Sequence, residues 1–176
     1  IHFAREGLWV DGFVGRIVVP RDERFDMPND YDWFSGIYIN LIQIPQHLLD
    51  LYFFSRNANG QAISAEPSPQ QPQPSARDIY TLGFRFKSKP GELGNWDYNV
   101  ESAYQFGDYG KEDQRAYAGH LGGEYGFRYE TDHTLGLVFN YASGDSDASD
   151  NKHETFDNLY PTNHLYYGYM DFFRSE

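Results

Sequence analysis

A membrane-spanning antiparallel β-barrel is the fold class this sequence predicts, and three features predict it. Apolar residues recur at every second position over stretches of strand length. Aromatic residues make up 18% of the chain, led by 15 tyrosines and 14 phenylalanines, which favours strands over helices. Short turns alternate with long polar loops, the habit of outer-membrane barrels. Mean hydropathy is −0.69 and no run reaches transmembrane-helix length, which excludes helical spanning and leaves a barrel open.

The clearest strand is Tyr117–Tyr129. Tyr117, Leu121, Tyr125, Phe127 and Tyr129 fall on one face, and Ala118, His120, Glu124 and Arg128 on the other. After the turn Glu130–His133 the pattern resumes, with Leu135, Leu137, Phe139 and Tyr141 together and Val138 as the exception. Earlier in the chain, Leu8–Val19 has apolar residues on both faces, so its sides stay unassigned. Pro20 ends it, because proline cannot donate to a ladder. Trp33–Ile42 sets Trp33, Ile37, Ile39 and Leu41 against Gly36, Tyr38 and Asn40. Leu48–Arg56 sets Leu49, Leu51 and Phe53 against Asp50, Tyr52 and Arg56. Ile79–Lys87 sets Tyr80, Leu82, Phe84 and Phe86 against Thr81, Gly83, Arg85 and Lys87. Trp96–Phe106 sets Trp96, Tyr98, Val100, Tyr104 and Phe106 against Asp97, Asn99, Glu101, Ala103 and Gln105. Leu165–Phe173 reads as an eighth strand.

Residues 1–176 thus read as a single β-barrel segment, with long outer loops at about 21–32, 57–78, 107–114 and 144–163. Short connections lie at 43–47, 88–95 and 130–133. The low-complexity run Ser64–Ser75 cannot form a packed core and is expected within an exposed loop. Trp96, Phe106, Tyr129 and Tyr141 fall near strand ends, where an aromatic girdle would sit. The alternative is a soluble eight-stranded antiparallel barrel binding a small apolar ligand, its aromatic face turned inward. Periodicity alone does not separate the two.

A formal net charge of −12 argues against nucleic-acid binding, since phosphates need a basic face. Without cysteine, disulfides, thiol catalysis and thiolate metal sites are excluded. Ile1–Glu6 has neither the basic start nor the apolar run of a signal peptide. Because the chain starts and stops inside apparent strands, a mature or partial segment of a longer chain is expected.

The segment Thr155-Phe156-Asp157-Asn158-Leu159-Tyr160-Pro161-Thr162-Asn163-His164, followed by Tyr167-Gly168-Tyr169-Met170-Asp171-Phe172-Phe173, resembles the alginate export family of Gram-negative outer-membrane proteins. Asn140–Asp145 and Asp32–Tyr38 are also similar to that family. The resemblance implies a larger barrel of about eighteen strands in which this chain is an inner portion. It also implies location in the cell outer membrane, contact with its lipid, and export of an anionic polysaccharide through a basic constriction. Periplasmic export components would be further partners, and another small polar solute is an alternative cargo.

If the aromatic faces meet lipid, the lumen receives Asp50, Arg56, Arg85, Lys87, Asp97, Glu101, His120, Glu124 and Arg128. Arg56, Arg85, Lys87 and Arg128 are the expected contacts for a carboxylated sugar, since a guanidinium fork matches a carboxylate. Pairing of these cations with Asp50, Glu101 and Glu124 across strands is the plainer alternative. Asp145, Asp147 and Asp150 are candidate calcium ligands, although their spacing lacks the EF-hand glycine and distal glutamate. A flexible solvated loop is the competing expectation there. No nucleophile–base–orienter set accompanies His120 or His164, so neither catalysis nor a cofactor is expected.

Overall fold

A computed structural model describes residues 1–19, 27–59, 76–128, 132–147 and 149–159. Its strands are β1 (His2–Arg5), β2 (Leu8–Val19), β3 (Met27–Leu41), β4 (His47–Ala58), β5 (Arg77–Ser88), β6 (Trp96–Tyr109), β7 (Glu112–Arg128), β8 (Asp132–Ala142) and β9 (Lys152–His153). From β1 to β8 each strand pairs antiparallel with the next, and β9 adds parallel to β7. The result is an up-and-down meander. Among the described residues β1 and β8 do not pair with each other, so the sheet is open.

Seven of the expected strands are present. Short β1, pairing His2–Arg5 with Leu8–Asp11, has too few residues to show a period and went unseen in the sequence. The eighth expected strand, Leu165–Phe173, lies outside the described residues, as do Tyr129 and His164.

The loop boundaries need correction. β3 begins at Met27, inside the loop expected at 21–32. β4 runs to Ala58 and β5 starts at Arg77, trimming the loop expected at 57–78. The loop expected at 107–114 is not a loop. β6 and β7 pair through Tyr109 and Glu112, leaving only Gly110-Lys111 between them. Gly110 has φ +66°, suited to a two-residue hairpin whose first central position needs positive φ. Polar residues there occupy a ladder that continues beyond the apolar band. The strict alternation of long and short connections therefore fails at β6–β7.

Register sorts the side chains into two faces. One cross-strand row runs Asn40, Asp50, Arg85, Glu101, His120, Asn140. The next runs Tyr38, Tyr52, Gly83, Ala103, Ala118, Ala142. These rows belong to the polar face, on which Val138 also stands. β2, unassigned from sequence, puts Val10 and Val14 on the apolar face and Trp9 and Phe13 on the polar one.

The apolar face is open to the surroundings: Phe84 is 41%, Leu121 56% and Phe139 61% exposed. Tyr80, Phe84, Tyr98, Leu121 and Phe139 do not meet in a dry core. Trp96 and Phe106 stand about 33 Å apart along β6 at roughly 3.3 Å per residue. A strand tilt of about 40° reduces that to about 25 Å, the height of an outer-membrane apolar band. Trp96 packs against Tyr125 with ring centroids 4.7 Å apart, and Tyr117 against Tyr141 at 5.7 Å. Aromatic rings thus mark both ends of the band, with Leu82, Val100, Leu121 and Leu137 between them.

Candidate functional site

The polar face is the candidate site. It has two charged clusters, one at the turn end, where β3 joins β4 and β5 joins β6, and one at the loop end, where β4 joins β5, β6 joins β7 and the chain leaves β8.

At the turn end, the Arg85 guanidinium meets Asp50 with Nε at 2.8 Å and Nη2 at 2.6 Å from Oδ2. Asn40 donates to the other oxygen of Asp50, which is only 1% exposed. Tyr38 Oη lies 3.3 Å from Arg85 Nη2, and Tyr52 donates to Glu101 at 2.8 Å. The Tyr52 ring lies across Gly83, where any Cβ would strike it, so glycine is required at that point of β5. His120 bonds with Asn140, 2.6 Å away. Below this row, a hollow of about 350 Å³ is lined by Arg85, Lys87, Asp97, Asn99, His120 and Glu124. Lys87 has no ion pair among the described residues. The buried Asn99 Oδ1 has no hydrogen-bond partner there.

At the loop end, the chain after β8 turns back onto the polar face. Ser143 Oγ donates to the Glu154 carbonyl at 2.7 Å, and Phe156 N donates to the Ser143 carbonyl at 3.0 Å. Gln105 acts as a surrogate strand for Asp157: its Nε2 donates to the Asp157 carbonyl at 2.7 Å, and its Oε1 accepts Asp157 N at 2.8 Å. Gln114 donates to the Thr155 carbonyl at 3.0 Å and meets His153 Nδ1 at 2.8 Å. His153 stacks on Tyr109 at 4.0 Å. Both glutamines are essentially buried. The Asp157 carboxylate lies 2.8 Å from Arg77 and 3.7 Å from Arg56. Arg56 also forks onto Asp32 at 2.9 and 3.3 Å.

The segment expected as the solvated loop 144–163 therefore divides in two. Its acidic tip is exposed, whereas residues 152–159 pack onto the wall. In the tip, Asp147 accepts from Ser149 N and Oγ, and Asp150 from Lys152 N and Nζ. These hydrogen bonds hold both carboxyls below the ordinary carboxylate range. Asp145 accepts from Asp147 N. Among the described residues no three carboxylates or imidazoles converge as a metal site, and these three serve their own backbone instead.

Of the residues singled out in the sequence, Arg85, Lys87, Glu101, His120 and Glu124 share the turn-end region. Arg56 stands apart at the loop end as an anchor. Arg128 ends β7 opposite Asp132, and its side chain lies outside the described residues. The sequence reading missed Arg77, Gln105, Gln114 and Asp157 as a set. The only available signal was Asp157 in the Phe156–His164 segment.

The family model described as Alginate export matches residues 5–175. This chain belongs to the alginate export family. The family match and the all-strand architecture agree on an outer-membrane β-barrel type of polysaccharide transport. No curated protein and no solved structure matches the chain. Among the described residues Arg56, Arg77 and Arg85 are each paired with a carboxylate, and Lys87 is not.

Proposed function

We propose that this chain forms part of the wall of an outer-membrane conduit for a polar polysaccharide, its apolar face on lipid and its polar face on the lumen. The observation that carries this reading is the segregation of the two faces. On β5–β8, large aliphatic and aromatic side chains stay exposed on one, while charged and small residues share the other; on β2–β4 the second face carries charged and aromatic residues together. In a soluble ligand-binding barrel those large side chains would fill a closed interior. Conduction needs many weak polar contacts rather than one deep site, and a row such as Asp50, Arg85, Glu101 and His120 offers them. The residues 152–159, docked on the lumen side, narrow the passage at the loop end. The conduit carries out no chemistry of its own and needs no cofactor.

The test is extraction and conductance. The protein should need detergent to stay monodisperse and should open ion-conducting channels in planar bilayers. Monodispersity in plain buffer without conductance would reject the conduit.

A further inference from the structure

The strap formed by residues 152–159 is held on the polar face in two ways. Its first part is held through uncharged groups. Ser143 bonds to the backbone of Glu154 and Phe156, Gln114 bonds to that of Thr155, and β9 pairs with β7. Its last part, Asp157-Asn158-Leu159, adds a charged clamp to the Gln105 bonds. Asp157 Oδ2 lies 2.8 Å from Arg77 Nη1. Asp157 Oδ1 accepts Leu159 N at 2.8 Å and lies 3.7 Å from Arg56 Nη1, which also reaches the Leu159 carbonyl at 3.4 Å. Inside this turn Leu159 has φ +46°, in the left-handed region that a side chain adopts at a cost. One carboxylate therefore presses a strained turn against the wall.

The two arginines are placed by the sheet and not by the strap. Arg56 stands on β4 and is fixed by its fork onto Asp32 of β3. Arg77 stands on β5, and its guanidinium lies over the ring of Tyr109 of β6, 5.0 Å from the centroid. Both hold their positions when Asp157 leaves, so the gap between them stays shaped for a carboxylate. Replacing Asp157 by another carboxylate leaves neither arginine unpaired, which avoids the cost of breaking a shielded ion pair outright. Asp157, 11% exposed in the clamp, then passes to water. A chain with a carboxylate on every sugar ring offers many of them in one encounter, and so competes where a single carboxylate does not.

We propose that Arg56 and Arg77 form a carboxylate site which the chain's own Asp157 occupies, and that a carboxylate of an acidic polysaccharide displaces Asp157 and frees the turn 157–159 from the wall. The proposal rests on the conduit reading and adds to it how the cargo itself widens the loop-end passage. The chain has no cysteine, so Asn158→Cys supplies a single thiol in the turn. Its labelling rate with N-ethylmaleimide, an uncharged reagent, reports release of the turn from the wall in detergent-solubilised protein. Hexamannuronate should raise that rate about tenfold. The same hexamer with its carboxylates reduced to hydroxyls should leave it unchanged, as should sodium chloride at equal ionic strength. With Asp157→Asn added, labelling should be fast without sugar, and hexamannuronate should add nothing. No response to hexamannuronate, or an equal response to the reduced hexamer or to salt, would overturn the proposal. That comparison is made with Asp157 in place, so it decides even where the Asp157→Asn variant does not fold. Conductance in planar bilayers separates the two readings. A thiol response without conductance would remove the conduit and leave the exchange at Arg77. Conductance with a thiol blind to hexamannuronate would do the reverse.

Discussion

The two ends of the polar face use arginine differently. At the loop end, Arg56 and Arg77 converge on one carboxylate, Asp157, which belongs to a segment folded back from β8. At the turn end, Arg85 is held by Asp50 of the neighbouring strand, and Lys87 beside it has no ion pair among the described residues. The first arrangement joins distant parts of the chain; the second braces adjacent strands and leaves Lys87 on the polar face without an ion pair among the described residues. Similar residues on one face thus have separate roles, decided by which carboxylate reaches them.

The contrast is sharpest at Asp157. Asp157→Ala removes the carboxylate shared by two arginines whose side chains are 16% and 19% exposed. Breaking such a pair costs about 3 kcal/mol and should release residues 152–159 from the wall. Limited proteolysis at the acidic tip should accelerate by roughly two orders of magnitude, with a larger channel conductance. Unchanged proteolysis and conductance would mean that the segment is held without the clamp. Next in size, Gln105→Ala strips Asp157 of both backbone partners and should lower stability in a urea titration by about 1–3 kcal/mol. A change within the range of ordinary surface substitutions would show that the surrogate-strand contact carries little weight.

At the turn end, Asp50→Asn should cost about 1–2 kcal/mol, since the partly exposed Arg85 recovers some hydration. It should also move the channel reversal potential toward anions, and Arg85→Gln should move it toward cations. A shift in the same direction for both would contradict the pairing. The smallest stability effect belongs to Lys87→Gln, within about 0.5 kcal/mol, while anion permeability falls. Equal permeability would remove Lys87 from the lumen pathway.

The acidic tip adds a pH dependence. The Asp147 and Asp150 carboxyls lie below their usual values, Asp147 through the Ser149 hydroxyl and Asp150 through Lys152. A depressed carboxyl stabilises above its unfolded pKa of about 3.9, and that contribution is lost as pH falls through the lower folded value. The tip should therefore keep its protease resistance down to about pH 4 and lose it only in stronger acid. Loosening that began near pH 6 would count against these hydrogen bonds.

Much of the sheet was legible because strands of period two write their faces directly. Ile79–Lys87 and Trp96–Phe106 gave the correct residues on each side, and the cross-strand row of Asp50, Arg85 and Glu101 follows once the strands pair. The Gly107–Gln114 stretch misled because its polar residues continue a ladder beyond the apolar band, where no hydrophobic alternation records it. Arg56 pairs with Asp32 and Asp157, partners that the sequence does not show, because the strand pattern gives only the face on which it stands. Gln105 and Gln114 carried no signal at all, since a glutamine that pairs with a returning backbone looks like any polar wall residue.

By itself the sequence determined which side chains share a face, because a pleated strand sends alternate residues to opposite sides whatever lies around it. Tertiary structure alone decided which charges are neutralised and which remain open. That depends on long-range approach: Asp157 reaches Arg77 where Gln105, Gln114, Ser143 and the β9 pairing hold the chain back across the polar face.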